Sequence, residues 1–231
     1  MKGFLAFPVL IILLNATPAF ADLEKGWDAY RSEDYSTAFN EWKPLAEQGV
    51  ADAQFNIGWM YHNGIGVKKN YKTAVEWYKL AADNEHPDSQ YILALMYQKG
   101  KGTTRDPRAA VKYLKKAVKQ GHIKAQYILG MMYYEGKGVT RDYEAAIELF
   151  KPAAERGHAT AQYNLGYMYQ RGYGVTRDYS RAHMWLNISA SQGIRIAVVN
   201  RDIVENDMTP PQIEEARELA RECIANNYKE C

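Results

Sequence analysis

Apolar residues recur at helical spacing along most of the chain. Ala125, Leu129, Met132 and Tyr133 fall at i, i+4, i+7 and i+8, one stripe of an amphipathic helix. Gly136-Lys137-Gly138 stops the stripe, because glycine tolerates the positive φ that a helix C-terminus often needs. A second stripe follows at Ala146, Leu149, Phe150 and Ala153, opened by Asp142, a good acceptor for the orphan amides of a first turn. The pattern predicts two helices joined by a short glycine loop.

The hairpin is copied. Gln54, Gln90, Gln126 and Gln162 stand 36 residues apart, and so do Tyr61, Tyr97, Tyr133 and Tyr169, Met60, Met96, Met132 and Met168, and two glycine registers beginning at Gly64 and Gly66. Segments 122–157 and 158–193 share 18 of 36 positions. Four repeats are expected at 50–85, 86–121, 122–157 and 158–193, with cap residues Asp34, Asn70, Asp106, Asp142 and Asp178 in one register. Pro107 follows Asp106 at a first helical position, where proline fits. Tyr35 and Ala38 extend the period upstream, so 22–49 reads as a partial repeat with a shortened hairpin over Trp27–Leu45. In this reading every glycine except Gly3 and Gly26 belongs to a repeat register. Downstream the period fades. Thr209-Pro210-Pro211-Gln212 reads as a capping box that starts a last helix carrying Ile213, Ala216, Ala220 and Ile224 on one face, so 194–231 is expected to hold capping helices and a tail.

The residues AQYxLGxMYxxGxGVxxD on a 36-residue period resemble the Sel-1-like repeat family, a branch of the tetratricopeptide-repeat superfamily. The resemblance covers 50–193 and departs at Ala94, Ser89 and Thr103. It implies an all-α fold, an α-solenoid built as a right-handed superhelix of stacked helix–turn–helix repeats, closed by a C-terminal capping helix. It also implies a scaffold or adaptor that holds a protein or peptide on its concave face, in envelope assembly, signalling, host interaction or toxin neutralisation. Disulfide-rich relatives assigned β-lactam binding or hydrolysis supply the alternative, a peptidoglycan-related binder or hydrolase.

Met1-Lys2, the apolar run Phe4–Leu14, the polar break at Asn15–Pro18 and Ala19-Phe20-Ala21 make the three parts of a secretory signal peptide, with cleavage expected after Ala21. About 20 apolar residues are needed to span a bilayer, so this run is too short for an anchor, and no later segment qualifies. An exported chain, periplasmic or secreted, follows. The 29 basic and 27 acidic residues nearly balance, which argues against a nucleic-acid partner. Cys223 and Cys231 are the only cysteines. One straight helix would hold them ~12 Å apart, beyond disulfide reach, but Asn226-Asn227 could end the helix and let the tail return. An intramolecular disulfide is the default in an oxidising compartment, with intermolecular pairing through Cys231 the alternative.

Candidate chemistry is sparse. Ser32, Ser36, Ser89, Ser180, Ser189 and Ser191 all lack the lysine of an S-x-x-K, and G-x-S-x-G and H-E-x-x-H are missing. His86, His122 and His158 share a register at helix starts and stand a packing layer apart, too far to share a metal. The row Lys69, Arg105, Arg141 and Arg177 reads as solvated loop charge beside its capping residue, or as a site for an anionic partner. No catalytic residue, metal or cofactor is expected, and the chain is expected to be a monomer. Within the first helices, positions 53, 57, 60 and 61 barely change, whereas the stripe 52, 56, 59 and 63 varies. Its third member stays large and apolar: Trp59, Leu95, Met131, Tyr167. Either this ladder packs against the next repeat or it lines a protein-binding groove, for which the candidate residues are Asn56, Trp59, Ile92, Leu95, Ile128, Met131, Tyr134, Asn164, Tyr167 and Arg171.

Overall fold

The computed structural model describes residues 18–229 and 231; of the expected leader 1–21, residues 1–17 lie outside the described residues. All regular structure among them is helical: α1 (Pro18–Arg31), α2 (Tyr35–Glu47), α3 (Ala51–Asn63), α4 (Tyr71–Asp83), α5 (Pro87–Lys99), α6 (Pro107–Lys119), α7 (Ile123–Glu135), α8 (Tyr143–Ala154), α9 (Ala159–Arg171), α10 (Tyr179–Ser191), α11 (Arg195–Glu205) and α12 (Pro210–Ala225). Five antiparallel hairpins, α1/α2 to α9/α10, stack in chain order, each second helix against the next first helix. This is an α-solenoid, in which each layer buries its apolar face against its neighbours.

The caps behave as the sequence suggests. Asn70, Asp106, Asp142 and Asp178 accept from the first-turn amides of their second helices, while Gly64, Gly100, Gly136 and Gly172 end the first helices in the left-handed region. The hairpin closes tightly because a small residue of the first helix faces a bulky one of the second. A Cβ on Gly58 would lie 2.9 Å from Tyr78, on Gly130 2.6 Å from Phe150 and on Gly166 2.7 Å from Leu186. Gly26 faces the Trp42 ring in the same way. Gly26 therefore does belong to a repeat register. The α1–α2 turn is residues 32–34 where the α3–α4 turn is 64–70, so the first helix of that hairpin is displaced by four positions and the period misses it. α1 spans Pro18–Arg31, of which 22–31 follow the expected cleavage site and pair with α2.

Layers are joined by a side-chain ladder. Gln54, Gln90 and Gln162 each donate Nε2 to a carbonyl of the preceding second helix, at Ala46, Ala82 and Ala154. Their Oε1 atoms accept from Asn84, Gln120 and Gln192, 30 residues on. Gln126 breaks the series: the matching residue is Arg156, whose guanidinium reaches the Gly121 carbonyl instead, and Gln126 Oε1 is buried with no partner. Asn84 makes both bonds at its own layer, to Gly49 O and Gln54 Oε1. Arg156→Asn is therefore expected to stabilise the protein by about 1 kcal/mol, a rise in Tm of ~2–4 °C in a thermal melt. An unchanged or lower Tm would count against the ladder as a layer joint.

The C-terminal end departs from the repeat. α11 continues the series of first helices, but α12 packs back on α10 and does not pair with α11. Gln212 accepts from the Thr209 N–H and hydroxyl at the start of α12. Glu205 on α11 receives His183 Nε2 of α10 at 2.8 Å and Arg217 of α12 at 3.2 Å, which ties the three helices together. After α12, Asn227 and Tyr228 take positive φ and turn the tail, and Cys231 bonds Cys223 within the chain, with Cα atoms 5.4 Å apart. The pair closes a small loop worth ~2 kcal/mol. Reduction is expected to raise amide exchange in α12 while leaving α3–α8 protected; equal exchange in both redox states would show that the bond does not hold α12 down.

Candidate functional site

The first helices place one apolar residue per layer on a common face. Trp59 is 39% exposed, and Leu95, Met131 and Tyr167 are half-buried. Two further members emerge. Ile203 on α11, 36 residues after Tyr167, is 47% exposed, and Trp27 on α1 occupies the same position once the four-residue turn difference is counted. Trp27 escaped notice because the shortened turn displaces it, and Ile203 because the glycine and glutamine markers around it have gone.

The other expected groove residues divide. Ile92 and Ile128 are half-buried and pack against the core beneath. Asn164 donates Nδ2 to Met131 Sδ at 3.2 Å, so this ladder residue also joins layers. Arg171 is exposed and lies over the Tyr167 ring at 5.4 Å. Tyr134 belongs to an aromatic group with Tyr143 and Tyr173, and burial together with Tyr167, Tyr173, Tyr143 and Tyr163 pushes its phenol up to about 12. Asn56 departs from the exposed-face expectation: it is only 3% exposed. Within the ladder, Met131 and Trp27 pack against the core, whereas Trp59 and Ile203 are exposed. Clefts flank Trp59 on both sides, one of about 270 Å³ towards α1 and one of about 220 Å³ lined by His62, Ile92 and Leu95.

The repeat histidines are caps. Nδ1 of His86, His122 and His158 accepts the backbone N–H of Ser89, Ala125 and Ala161, and the rings stack on Phe55, Tyr91 and Tyr127 at 4.7, 4.7 and 4.6 Å. His86 Nε2 lies 3.2 Å from Asp52, and the Ser89 hydroxyl 3.1 Å from His86 Nδ1, a serine, histidine and aspartate in line. Ser89 is 0% exposed, however, and alanine takes its place after His122 and His158, so the arrangement serves the helix start and offers no reachable nucleophile. Among the described residues no group of three His, Cys, Asp or Glu could hold a metal ion. The basic row turns inward on its own loops: Lys69, Arg141 and Arg177 lie over Tyr71, Tyr143 and Tyr179, and Arg105 donates to the Gln98 carbonyl.

A capping Nδ1 must be unprotonated. Burial pushes His86 below its ordinary value against the pull of Asp52 and Asp88, and burial also lowers His158, with Lys124 adding to the effect. The unfolded chain takes up these protons near pH ~6.5 while the folded chain resists. Stability is therefore full above that pH and declines as pH falls below it, until the folded caps protonate in turn. Urea unfolding is expected to show a smaller free energy at pH 5 than at pH 7.5, with a shallower decline in His158→Asn. An equal decline in that variant would contradict the capping role.

A family model described as Sel1 repeat matches residues 51–86, 87–122, 123–158 and 159–194. Among solved structures, a Sel1 repeat protein from Oxalobacter formigenes is 29% identical, covers 88% of this chain and 85% of its own, and superposes with a TM-score of 0.74. An immunity protein from Pseudomonas aeruginosa is 24% identical over 88% of this chain and 80% of its own, with a TM-score of 0.44. A protective antigen of uropathogenic Escherichia coli displaying an SLR fold is 22% identical over 91% of this chain and 70% of its own, with a TM-score of 0.39. No curated protein matches the chain in sequence.

Proposed function

Because the chain belongs to the Sel1 repeat family, whose members generally mediate protein–protein interaction, we propose that it is an exported scaffold that holds a protein or peptide partner along the face lined by its first helices. The observation that carries this reading is the apolar ladder Trp59, Leu95, Met131 and Tyr167, extended by Trp27 and Ile203, on a face whose other positions vary between layers. Contiguous part-exposed apolar residues with polar flanks suit an extended or helical segment of a partner. Export rests on the leader pattern of Met1–Ala21 and on the Cys223–Cys231 disulfide, a bond that persists in oxidising compartments. Among the described residues no helix is long and apolar enough to cross a membrane.

The hydrolase reading gains nothing from the buried Ser89. The purified protein is expected to capture its partner from an envelope extract, and Trp59→Ala/Tyr167→Ala to lose it while keeping full helical content. Unchanged recovery by that variant would remove the groove from the account.

A further inference from the structure

The cleft between α1 and α3 differs from the rest of the ladder. It is lined by Trp27, Tyr30, Trp42, Phe55, Asn56 and Trp59, five aromatic rings and one amide. On one side Trp27 and Trp42 meet edge to face at 5.0 Å, with Tyr30 5.8 Å from Trp42; on the other Phe55 and Trp59 stack at 6.4 Å. The Trp42 indole N–H is already spent on the Leu23 carbonyl at 3.1 Å. Asn56 is 3% exposed, and its Nδ2 is buried without a partner.

An unmet donor at such burial is unfavourable, so it needs an explanation. The repeats provide an internal control. Asparagines in the same register, Asn164 and Asn200, give their Nδ2 to Met131 Sδ at 3.2 Å and to the Tyr163 hydroxyl at 3.0 Å, both in the preceding layer. For Asn56 on α3 the first helix of the preceding layer is α1, which presents Trp27 and Tyr30, and Asn56 Nδ2 has no such acceptor. A bound group would supply it.

We propose that this cleft is a specificity pocket for one tyrosine side chain of the partner, its ring held between the two aromatic walls and its phenolic oxygen accepting from Asn56 Nδ2. The proposal rests on the groove reading and names what the groove selects. The chemistry excludes the obvious competitors. Aromatic cages of this composition suit quaternary ammonium groups, but here the lining includes the Asn56 amide and no carboxylate, and Asp52, one turn away, is engaged by His86. A sugar would need several polar partners and finds one. A volume of about 270 Å³ is below the ~300–1,000 Å³ of sites for drug-sized ligands and suits a single side chain.

The test is titration of the purified protein with N-acetyl-tyrosinamide, N-acetyl-phenylalaninamide, choline and N-acetylglucosamine, read by NMR on the indole N–H signals. Tyrosinamide is expected to shift Trp27 and Trp59 saturably, leave Trp77 and Trp185 unmoved, and bind about tenfold more tightly than phenylalaninamide. Asn56→Leu is expected to abolish that preference while still binding both rings. Trp59→Ala, at an exposed wall, is expected to lose both, and keeps the test readable if Asn56→Leu does not fold. Equal affinity for the two amides, a preference that survives Asn56→Leu, tighter binding of choline or N-acetylglucosamine, or no saturable shift would each overturn the proposal. If no amide binds while Leu95→Asp still abolishes partner capture, the pocket fails and the groove stands.

Discussion

Gly138→Ala is expected to destabilise the protein by about 3 kcal/mol and to split its unfolding into two steps. Two effects combine. Gly138 has φ +76, a conformation that costs an L-residue ~1–2 kcal/mol. Its missing Cβ is also where the preceding layer begins: an added carbon would strike the Pro107 carbonyl, with Pro107 C only 2.6 Å away. Backbone cannot step aside as a side-chain tip can, so the loop must lift off the start of α6. In a solenoid, coupling between neighbouring layers is the only source of long-range cooperativity. Weakening the α6–α7 joint should therefore uncouple α1–α6 from α7–α12, and urea unfolding followed by circular dichroism should resolve two transitions. Gly121→Ala is the control. It too has positive φ, +75, but nothing lies within 4 Å of its added Cβ. It should cost only the conformational ~1 kcal/mol and keep one transition. Equal costs at the two sites would contradict the interlocking of loop and neighbouring hairpin.

Leu95→Asp/Met131→Asp is expected to weaken partner binding about a hundredfold or more with little loss of stability. Buried apolar anchors at an interface contribute ~2 kcal/mol or more each, and a carboxylate there adds a desolvation cost in the complex. In the free protein both side chains are half-buried, so the carboxylates can reach water and the fold should lose only ~1 kcal/mol per site. Isothermal titration with the captured partner reads the affinity, and a thermal melt reads the fold. Lys112→Asp on α6, an exposed position on a second helix, should bind as the unmodified protein does. A loss of affinity equal in both variants would assign the effect to general charge.

How much of this was written in the chain can be judged position by position. The hairpins, their Asp and Asn caps and the αL glycines were legible because each repeats at one spacing and each answers a local need of the backbone. The N-terminal layer was legible only as a shortened hairpin. Its turn, residues 32–34, is four residues shorter than 64–70, which hides Gly26 and Trp27 from a search at a fixed period although they pack as Gly58 and Trp59 do. The histidine register was visible as a helix start, but the Nδ1 acceptor role depends on ring orientation. Asn56 read as a surface variant because its register changes residue type from layer to layer, yet the equivalent Ile92, Ile128 and Asn164 are half-buried and Asn200 is buried. The return of α12 onto α10 is a tertiary choice that no local signal in 209–225 records. The cysteine pair lay between: its spacing allowed closure, and the positive φ of Asn227 and Tyr228 supplies the turn that makes it.

The measurement that bears most directly on the account is site-specific photocrosslinking from the ladder face. A photoreactive side chain at Leu95 or Tyr167 should give one adduct of the same mass with the partner, and the same group at Lys112 should give none. An adduct from Lys112 with none from Leu95 or Tyr167 would place the partner on the second helices and contradict the central claim.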